Sequence, residues 1–183
     1  MKLIIASDIH GSAYWCGRLC ELIEAENPDR IVLLGDLLYH GPRNDLPRDY
    51  APKQVIPMLS ALKEKILAVR GNCEAEVDQM VLSFPVMADY AALLVDGHAV
   101  YATHGHVWNE DNPPPLQAGD VLLCGHTHIP CCHRHEGFTY VNPGSVSLPK
   151  QNTPHSYATL RDGVMTWFDL AGGVFRQERL WEE

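Results

Sequence analysis

Three short, continuous apolar runs constrain the fold of this chain most strongly. The runs are Leu3–Ala6, Ile31–Leu34 and Ile66–Val69. Runs of this length and composition are typical of strands that are buried on both faces. Between and after them, apolar periodicity predicts a helix over 13–26, a second beginning at Pro52 and bent or delayed by Pro57, and a short third over 74–82. Alternating strands and helices of this kind build a parallel sheet with right-handed crossovers.

The second half of the chain predicts antiparallel strands instead. Two pairs of strand-like runs flank the tight-turn signals Asp96-Gly97 and Asp162-Gly163. The runs are 91–95 with 98–103 and 156–161 with 164–170, and further strands are predicted at 121–124, 138–141 and 174–181. Hairpins of this kind imply a second sheet packed on the first. We therefore predict an α/β fold, a four-layer α/β/β/α sandwich of two mixed sheets flanked by helices, in a single domain over residues 1–183.

Composition excludes several classes of protein. With 46% hydrophobic and 20% charged residues, the chain is not disordered by composition. The formal net charge of −9 and the absence of a stripe dense in Lys and Arg predict no nucleic-acid-binding surface. No apolar run approaches the ~20 residues of a membrane span, and we expect neither a signal peptide nor a membrane partner. The six cysteines form no CxxC pair, which favours reduced thiols and a cytoplasmic protein.

Polar side chains follow strand after strand at the point where each strand ends. The segments are Asp8-Ile9-His10, Gly35-Asp36, Gly71-Asn72, His104-Gly105-His106 and Gly125-His126-Thr127-His128. The carboxyl ends of parallel strands form the ligand crevice of an open α/β sheet. Residues i and i+2 of an extended chain point the same way, which explains the Asp-x-His and His-x-His spacings.

Carboxylate, amide and imidazole groups without thiolate suit Mn²⁺, Fe²⁺, Co²⁺, Ni²⁺ or Zn²⁺ better than Ca²⁺. The segments supply seven candidate ligands, which are too many for one ion: Asp8, His10, Asp36, Asn72, His104, His126 and His128. Two ions in one site lie ~3.5–4 Å apart and need a bridging carboxylate. Taken alone, each segment has a simpler interpretation, such as a helix N-terminal turn at Asp8 or a left-handed turn at Asn72. The metal hypothesis depends on all of them occurring together.

As a group, these segments and the turn Asn142-Pro143-Gly144-Ser145 resemble the calcineurin-like metallophosphoesterase superfamily over residues 1–148. The stretches 35–44 and 69–73 resemble its branch of small bacterial phosphodiesterases in particular. The resemblance implies that Asp36 bridges two metal sites. One site would take Asp8, His10, Asp36 and His128, and the other would take Asp36, Asn72, His104 and His126.

The resemblance also implies an activity. We expect a dinuclear metal-dependent phosphodiesterase that hydrolyses a small phosphodiester by in-line attack of a metal-bridging hydroxide. The expected cofactors are two divalent ions, Mn²⁺ first, with Ni²⁺, Co²⁺, Fe²⁺ or Zn²⁺ as alternatives. We assign catalytic roles to Asp36, Asn72 and His106. The expected substrate contacts are Asn72, His106, Arg43, His40 and Cys73. The alternatives are a phosphomonoesterase and a non-catalytic protein-interaction scaffold on the same fold, in which such a ligand set is usually eroded.

One position departs from the superfamily pattern. Many members carry a histidine after the metal-binding asparagine, as a candidate proton donor to the leaving group, whereas this chain carries Cys73. A thiol is a poorer acid and a weaker hydrogen-bond donor than imidazolium. The general acid is therefore open, and His106 is the best substitute.

Two further expectations concern apolar residues. The four tryptophans, Trp15, Trp108, Trp167 and Trp181, are expected in the core or at an interface. The apolar strands 167–170 and 174–181 could build a contact between copies in a homo-oligomer.

Overall fold

The computed structural model describes residues 1–181, which form eleven strands and three helices. The helices are α1 Ala13–Glu26, α2 Pro52–Ser60 and α3 Glu76–Val81. The strands of the first sheet are β1 Lys2–Ala6, β2 Arg30–Leu33, β3 Ile66–Ala68, β9 Ser156–Arg161, β10 Val164–Asp169 and β11 Val174–Arg179. Those of the second are β4 Ala91–Val95, β5 His98–Ala102, β6 Asp120–Leu123, β7 Cys131–Arg134 and β8 Phe138–Asn142.

Both sheets are mixed, which confirms the predicted α/β class. The six-stranded sheet has the order β11-β10-β9-β1-β2-β3, with β1, β2 and β3 parallel and the other pairs antiparallel. The five-stranded sheet has the order β4-β5-β6-β8-β7, with β5, β6 and β8 parallel and antiparallel strands at both edges. Each sheet therefore brings the carboxyl ends of three parallel strands to one edge.

Alternate side chains of the central strands pack into two separate hydrophobic cores, one on each face of the first sheet. In β1, Ile4 packs toward the helices, where Leu19 of α1 is also fully buried. Its neighbour Leu3 points the other way and packs with Val121 of the second sheet. A strand buried on both faces must be apolar at every position, which is why the continuous apolar run identified β1.

The outer face of the second sheet is covered by a loop. Among residues 82–181 the structure contains no helix, and Leu116 of the loop 105–119 packs against Leu122 and Tyr140. The loop carries Pro113-Pro114-Pro115, and a run of prolines removes the backbone donors that a helix needs. The helices thus pack on the first sheet, and this loop covers part of the outer face of the second.

Local details of the helices follow the sequence closely. Helix α1 has the predicted bounds, and the Ser12 hydroxyl caps it by accepting a hydrogen bond from the Trp15 amide at 3.3 Å. Helix α2 begins at Pro52 and contains Pro57, which does not divide it.

Strand β7 was not predicted from the sequence. Its residues, Cys131–Arg134, contain no apolar run, and the strand pairs only with β8 at the sheet edge.

Trp167 lies in the core between the sheets. Its side chain is fully buried, and its indole N–H donates to the backbone carbonyl of Asn142 at 2.7 Å. It therefore contributes to folding rather than to a contact between copies. Val174 and Phe175 of the edge strand β11 remain exposed. No helix in the described part of the chain combines the length and apolar character needed to cross a bilayer.

Candidate metal centre

The backbone at the strand ends is bent into an unusual conformation. Asp8, His10, Asp36, His126 and His128 have positive φ angles of 60°, 48°, 55°, 65° and 63°. Non-glycine residues rarely adopt this left-handed region, and such strain clusters at functional sites. The turns direct five polar side chains into the junction between the two sheets.

The first group of side chains is Asp8, His10 and His128. The Asp8 Oδ1 atom lies 3.5 Å from His10 Nε2 and 3.3 Å from His128 Nε2, and the two Nε2 atoms are 3.4 Å apart. His10 donates its Nδ1–H to the Tyr39 carbonyl at 2.7 Å, and His128 donates its Nδ1–H to the Leu148 carbonyl at 2.6 Å. Because Nδ1 carries the proton of each neutral ring, both Nε2 atoms present lone pairs to the carboxylate.

These atoms fit a bound cation. Asp8 Oδ1 is buried without a hydrogen-bond partner among the described residues, although acceptor atoms surround it. Burial raises the pKa of Asp8, but the neighbouring His10 and His128 rings outweigh it and hold that pKa well below its usual range. Burial lowers the pKa of His10, but the Asp8 carboxylate outweighs it and raises that pKa. A buried carboxylate facing imidazole lone pairs favours positive charge, which a divalent ion would supply.

The second group is Asp36, Asn72, His104 and His126. His104 Nε2 lies 3.1 Å from Asn72 Oδ1, 3.5 Å from Asp36 Oδ2 and 3.2 Å from His126 Nδ1. His104 donates its Nδ1–H to the Leu34 carbonyl at 2.6 Å, so its Nε2 lone pair also faces the group. Burial and the neighbouring His104 lower the pKa of His126 to about 4, which leaves its ring neutral and able to bind a metal.

Asp36 lies between the two groups. Its Oδ2 atom is 3.6 Å from His10 Nε2 and 3.5 Å from His104 Nε2, and its Oδ1 atom accepts the Cys73 amide hydrogen bond at 2.9 Å. Three-residue clusters suited to a metal occur on both sides of it: Asp8 with His10 and His128, and Asp8 with Asp36 and His104. The structure thus brings all seven predicted ligands together around one carboxylate.

A cleft of about 440 Å³ opens over the centre. Asp36, His126 and His128 form its floor, and Arg43, Asn72 and Cys73 of the predicted substrate contacts line it. Lys150, which sequence analysis did not single out, adds a second cation. His40 does not line the cleft. Its ring packs edge-on against Tyr39 and Tyr50, at centroid distances of 4.7 and 5.1 Å.

His106 lies next to the second group. Its ring centroid is 5.4 Å from that of His104 and 6.2 Å from that of His126. It lines a second cavity, of about 230 Å³, together with Arg70 and Trp108. Of the two places expected for Trp108, the structure excludes the core, because the side chain is partly exposed beside the candidate site.

Sequence analysis missed a buried carboxylate that holds the centre together. Glu74 accepts backbone hydrogen bonds from Asp36 at 2.8 Å, Leu37 at 2.7 Å and Gly71 at 2.6 Å. It thereby joins the loop after β2 to the loop after β3. Burial, with Asp36 nearby, raises the pKa of Glu74 to about 7. No spacing in the sequence marks this role, because the partners of Glu74 are backbone amides.

Two further features fix the loops. The hydroxyls of Ser145 and Ser147 donate to the Asp8 carbonyl at 3.0 and 3.1 Å, which holds the turn after β8 against the loop after β1. Gly35 has a φ of +93°, and a Cβ atom there would lie 2.5 Å from the Gly71 amide nitrogen. Only glycine allows the two loops to approach so closely.

Comparison with known proteins agrees with this geometry. Residues 1–162 match the calcineurin-like phosphoesterase superfamily domain. The chain belongs to this superfamily. It is 45% identical over 166 residues to the phosphodiesterase YfcE of Escherichia coli K12, covering 91% of this chain and 90% of YfcE.

Solved structures extend the comparison. The crystallographically characterised phosphoesterase YfcE from E. coli superposes with a TM-score of 0.95 at 42% identity, covering 98% of this chain and all of the other. Vacuolar protein sorting 29 from Cryptosporidium parvum has a TM-score of 0.63 at 16% identity, covering 97% of each chain. The similarity to vacuolar protein sorting 29 is evidence for the fold alone.

Glu74→Gln should weaken the centre without removing a ligand. The amide group replaces an acceptor with a donor that faces backbone N–H groups, so we expect a loss of about 2 kcal/mol in the free energy of unfolding. Metal affinity and turnover should fall together. Urea unfolding and metal titration of this variant test the prediction, with the exposed Glu76→Gln as the matched control. Wild-type stability in Glu74→Gln would contradict it.

Proposed function

We propose that this chain is a dinuclear metal-dependent phosphodiesterase acting on a small phosphodiester in the cytoplasm. The observation that carries the proposal is the position of Asp36 Oδ2, 3.6 Å from a ring nitrogen of one histidine group and 3.5 Å from that of the other. Membership of the superfamily and 45% identity to a phosphodiesterase support the activity. The reduced cysteines expected from the sequence support the compartment.

The charge of the site suits a phosphate anion. When bound, two divalent ions would supply four positive charges and lower the pKa of water toward neutrality. The buried carboxylates Asp8 and Asp36 offset only part of that charge, and Arg43 and Lys150 add to it from the cleft wall. The centre is then locally positive in a chain whose formal net charge is −9.

Two separate cavities next to the centre favour a diester over a monoester. The cleft of about 440 Å³ contacts Asp36, His126 and His128, and the cavity of about 230 Å³ contacts His104 and His106. A phosphodiester has two ester groups, and each cavity can take one of them. A phosphomonoester, the second candidate, would leave one cavity unused.

The chain's own residues orient the reaction. The Asn72 side chain directs Oδ1 toward His104 and donates its amide hydrogen to Cys73 Sγ at 3.3 Å. Burial, with Asp36 nearby, raises the pKa of the Cys73 thiol, so it stays protonated and is a weak acid. His106 lines the cavity at His104, where it can face a departing oxygen. Burial lowers the pKa of its ring, which makes its protonated form a stronger acid.

We further propose Mn²⁺ as the preferred ion, with Ni²⁺, Co²⁺, Fe²⁺ and Zn²⁺ as alternatives. Four of the seven proposed ligands are imidazoles: His10, His104, His126 and His128. Imidazole suits these ions better than Mg²⁺, which prefers oxygen. The complete ligand set also favours an enzyme over a non-catalytic scaffold.

Asp36→Asn should abolish the paired site. The substitution removes the negative charge that both ions would share, so calorimetric titration with Mn²⁺ should fall from two sites to at most one weak site. Hydrolysis of bis(p-nitrophenyl) phosphate should fall at least ~100-fold, given the several kcal/mol that metal catalysis supplies. Asp45→Asn, exposed in the next loop, is the matched control. Two tightly bound ions and a near-normal rate in Asp36→Asn would disprove the bridging role.

The loss of activity on metal removal should be reversible, and some ions should restore the activity better than others. Protein stripped with a chelator should lose diesterase activity, and Mn²⁺ should restore it better than Mg²⁺ because most ligands are imidazoles. The measurement is initial rate after adding each ion at equal free concentration. Full activity in chelator, or best rescue by Mg²⁺, contradicts the proposed ligand set.

The rate of diester hydrolysis should depend strongly on the pKa of the leaving group. With a weakly acidic thiol at Cys73, aryl diesters should be cleaved much faster than alkyl diesters, since general acid help contributes typically 10²–10⁴-fold when present. Cys73→His should narrow the gap, and Cys73→Ala should barely change aryl rates. The test is the dependence of rate on leaving-group pKa. An equally shallow dependence in all three proteins would identify another donor, with His106 the first to test.

A further inference from the structure

An aromatic groove continues from the smaller cavity beside the centre. Tyr90, Tyr101 and Trp108 form it together with Pro114 and Pro115, and they enclose about 300 Å³. Tyr90 is 60% exposed and Trp108 is 36% exposed. Large aromatic rings left open to solvent around a cavity are typical of ligand-binding surfaces.

The groove and the cavity at His104 share a wall. Trp108 lines both of them, and Asp89 of the cavity directly precedes Tyr90 of the groove. The Arg70 amide donates to the Ala88 carbonyl at 2.8 Å, which fixes the segment carrying Asp89 and Tyr90 beside the end of β3. An extended ligand in the cavity at His104 would therefore meet the aromatic groove at Trp108.

The loop that carries Trp108 is held in place by hydrogen bonds. The Trp108 carbonyl accepts the Thr103 hydroxyl hydrogen bond at 2.8 Å and the Cys124 thiol hydrogen bond at 3.7 Å. The Asn109 amide group donates to the Gly105 carbonyl at 3.1 Å. The groove is thus formed before any ligand binds, and little conformational entropy is lost on binding.

The two neighbouring cavities differ in chemistry. The cavity at His104 has the exposed polar side chains of Arg70 and Asp89 in its wall, whereas the groove is lined by aromatic rings. A nucleotide combines a phosphate, a ring with hydroxyl groups and a planar aromatic base, so its polar and aromatic parts match these two linings. The charge of the chain argues against a long nucleic acid, but a single nucleoside has no such requirement.

We propose that the groove binds a nucleobase, so that one ester group of the substrate is a nucleoside. The base would stack on Trp108 and Tyr90, and the sugar would contact Arg70 and Asp89. This inference rests on the proposed phosphodiesterase function and specifies its substrate class.

A matched pair of ligands tests the groove. Adenosine 5′-monophosphate and methyl β-D-ribofuranoside 5-phosphate share the phosphate and the sugar, and differ in the base. Calorimetric titration of Mn²⁺-loaded protein should give about tenfold tighter binding of the nucleotide, because base stacking on aromatic side chains contributes at this level. The same ratio should appear in their inhibition constants against bis(p-nitrophenyl) phosphate.

Substitutions in the groove test whether the preference for the nucleotide arises there. Trp108→Ala and Tyr90→Ala should each reduce the preference for the nucleotide while leaving the affinity for the sugar phosphate unchanged. Phe175→Ala, an equally exposed aromatic change on the edge strand β11, should retain the full preference. Tyr90 is largely exposed, so its variant tests the groove even if Trp108→Ala folds poorly.

The outcomes separate this inference from the proposed function. Equal affinity for the two ligands, or a preference that survives both variants, overturns the nucleobase site even if diester hydrolysis is normal. Absence of bis(p-nitrophenyl) phosphate turnover overturns the proposed function, while the calorimetric comparison still decides the groove.

Discussion

The structure depends on two carboxylates buried where the sheets meet. Asp8 and Asp36 are almost fully removed from solvent, and no lysine or arginine among the described residues forms an ion pair with either of them. Isolated buried charge is strongly unfavourable, so the surrounding imidazoles and the cations they would hold together offset it. The strained turns and the Glu74 contacts serve to keep these groups facing one another.

That requirement explains the form of the loops. The backbone hydrogen bonds of Glu74, Ser145 and Ser147 fix three loops before any ion binds. The ring orientation of each histidine with an Nδ1–H contact is likewise fixed by a backbone carbonyl. The loops at this edge are thus held mainly by polar contacts, and the apolar cores on either side of β1 stabilise the strands that carry them.

The sequence predicted the central strands, helix α1 and the convergence of the seven polar residues. Those features depend on local apolar pattern and on where strands end, which a sequence displays directly. Strand β7 escaped because its pairing with β8, rather than its composition, makes it a strand. Glu74 was missed because its partners are backbone amides from distant parts of the chain, and such contacts leave no spacing in the sequence.

The loop 105–119 covers part of the outer face of the second sheet and also carries His106 and Trp108. A loop held by a few hydrogen bonds and a proline run can change in length and composition without disturbing strand pairing. The wall beside the centre can therefore be altered by substitution or insertion while the turns that carry the candidate ligands are left untouched. Substrate choice and chemistry can then be engineered separately in this chain.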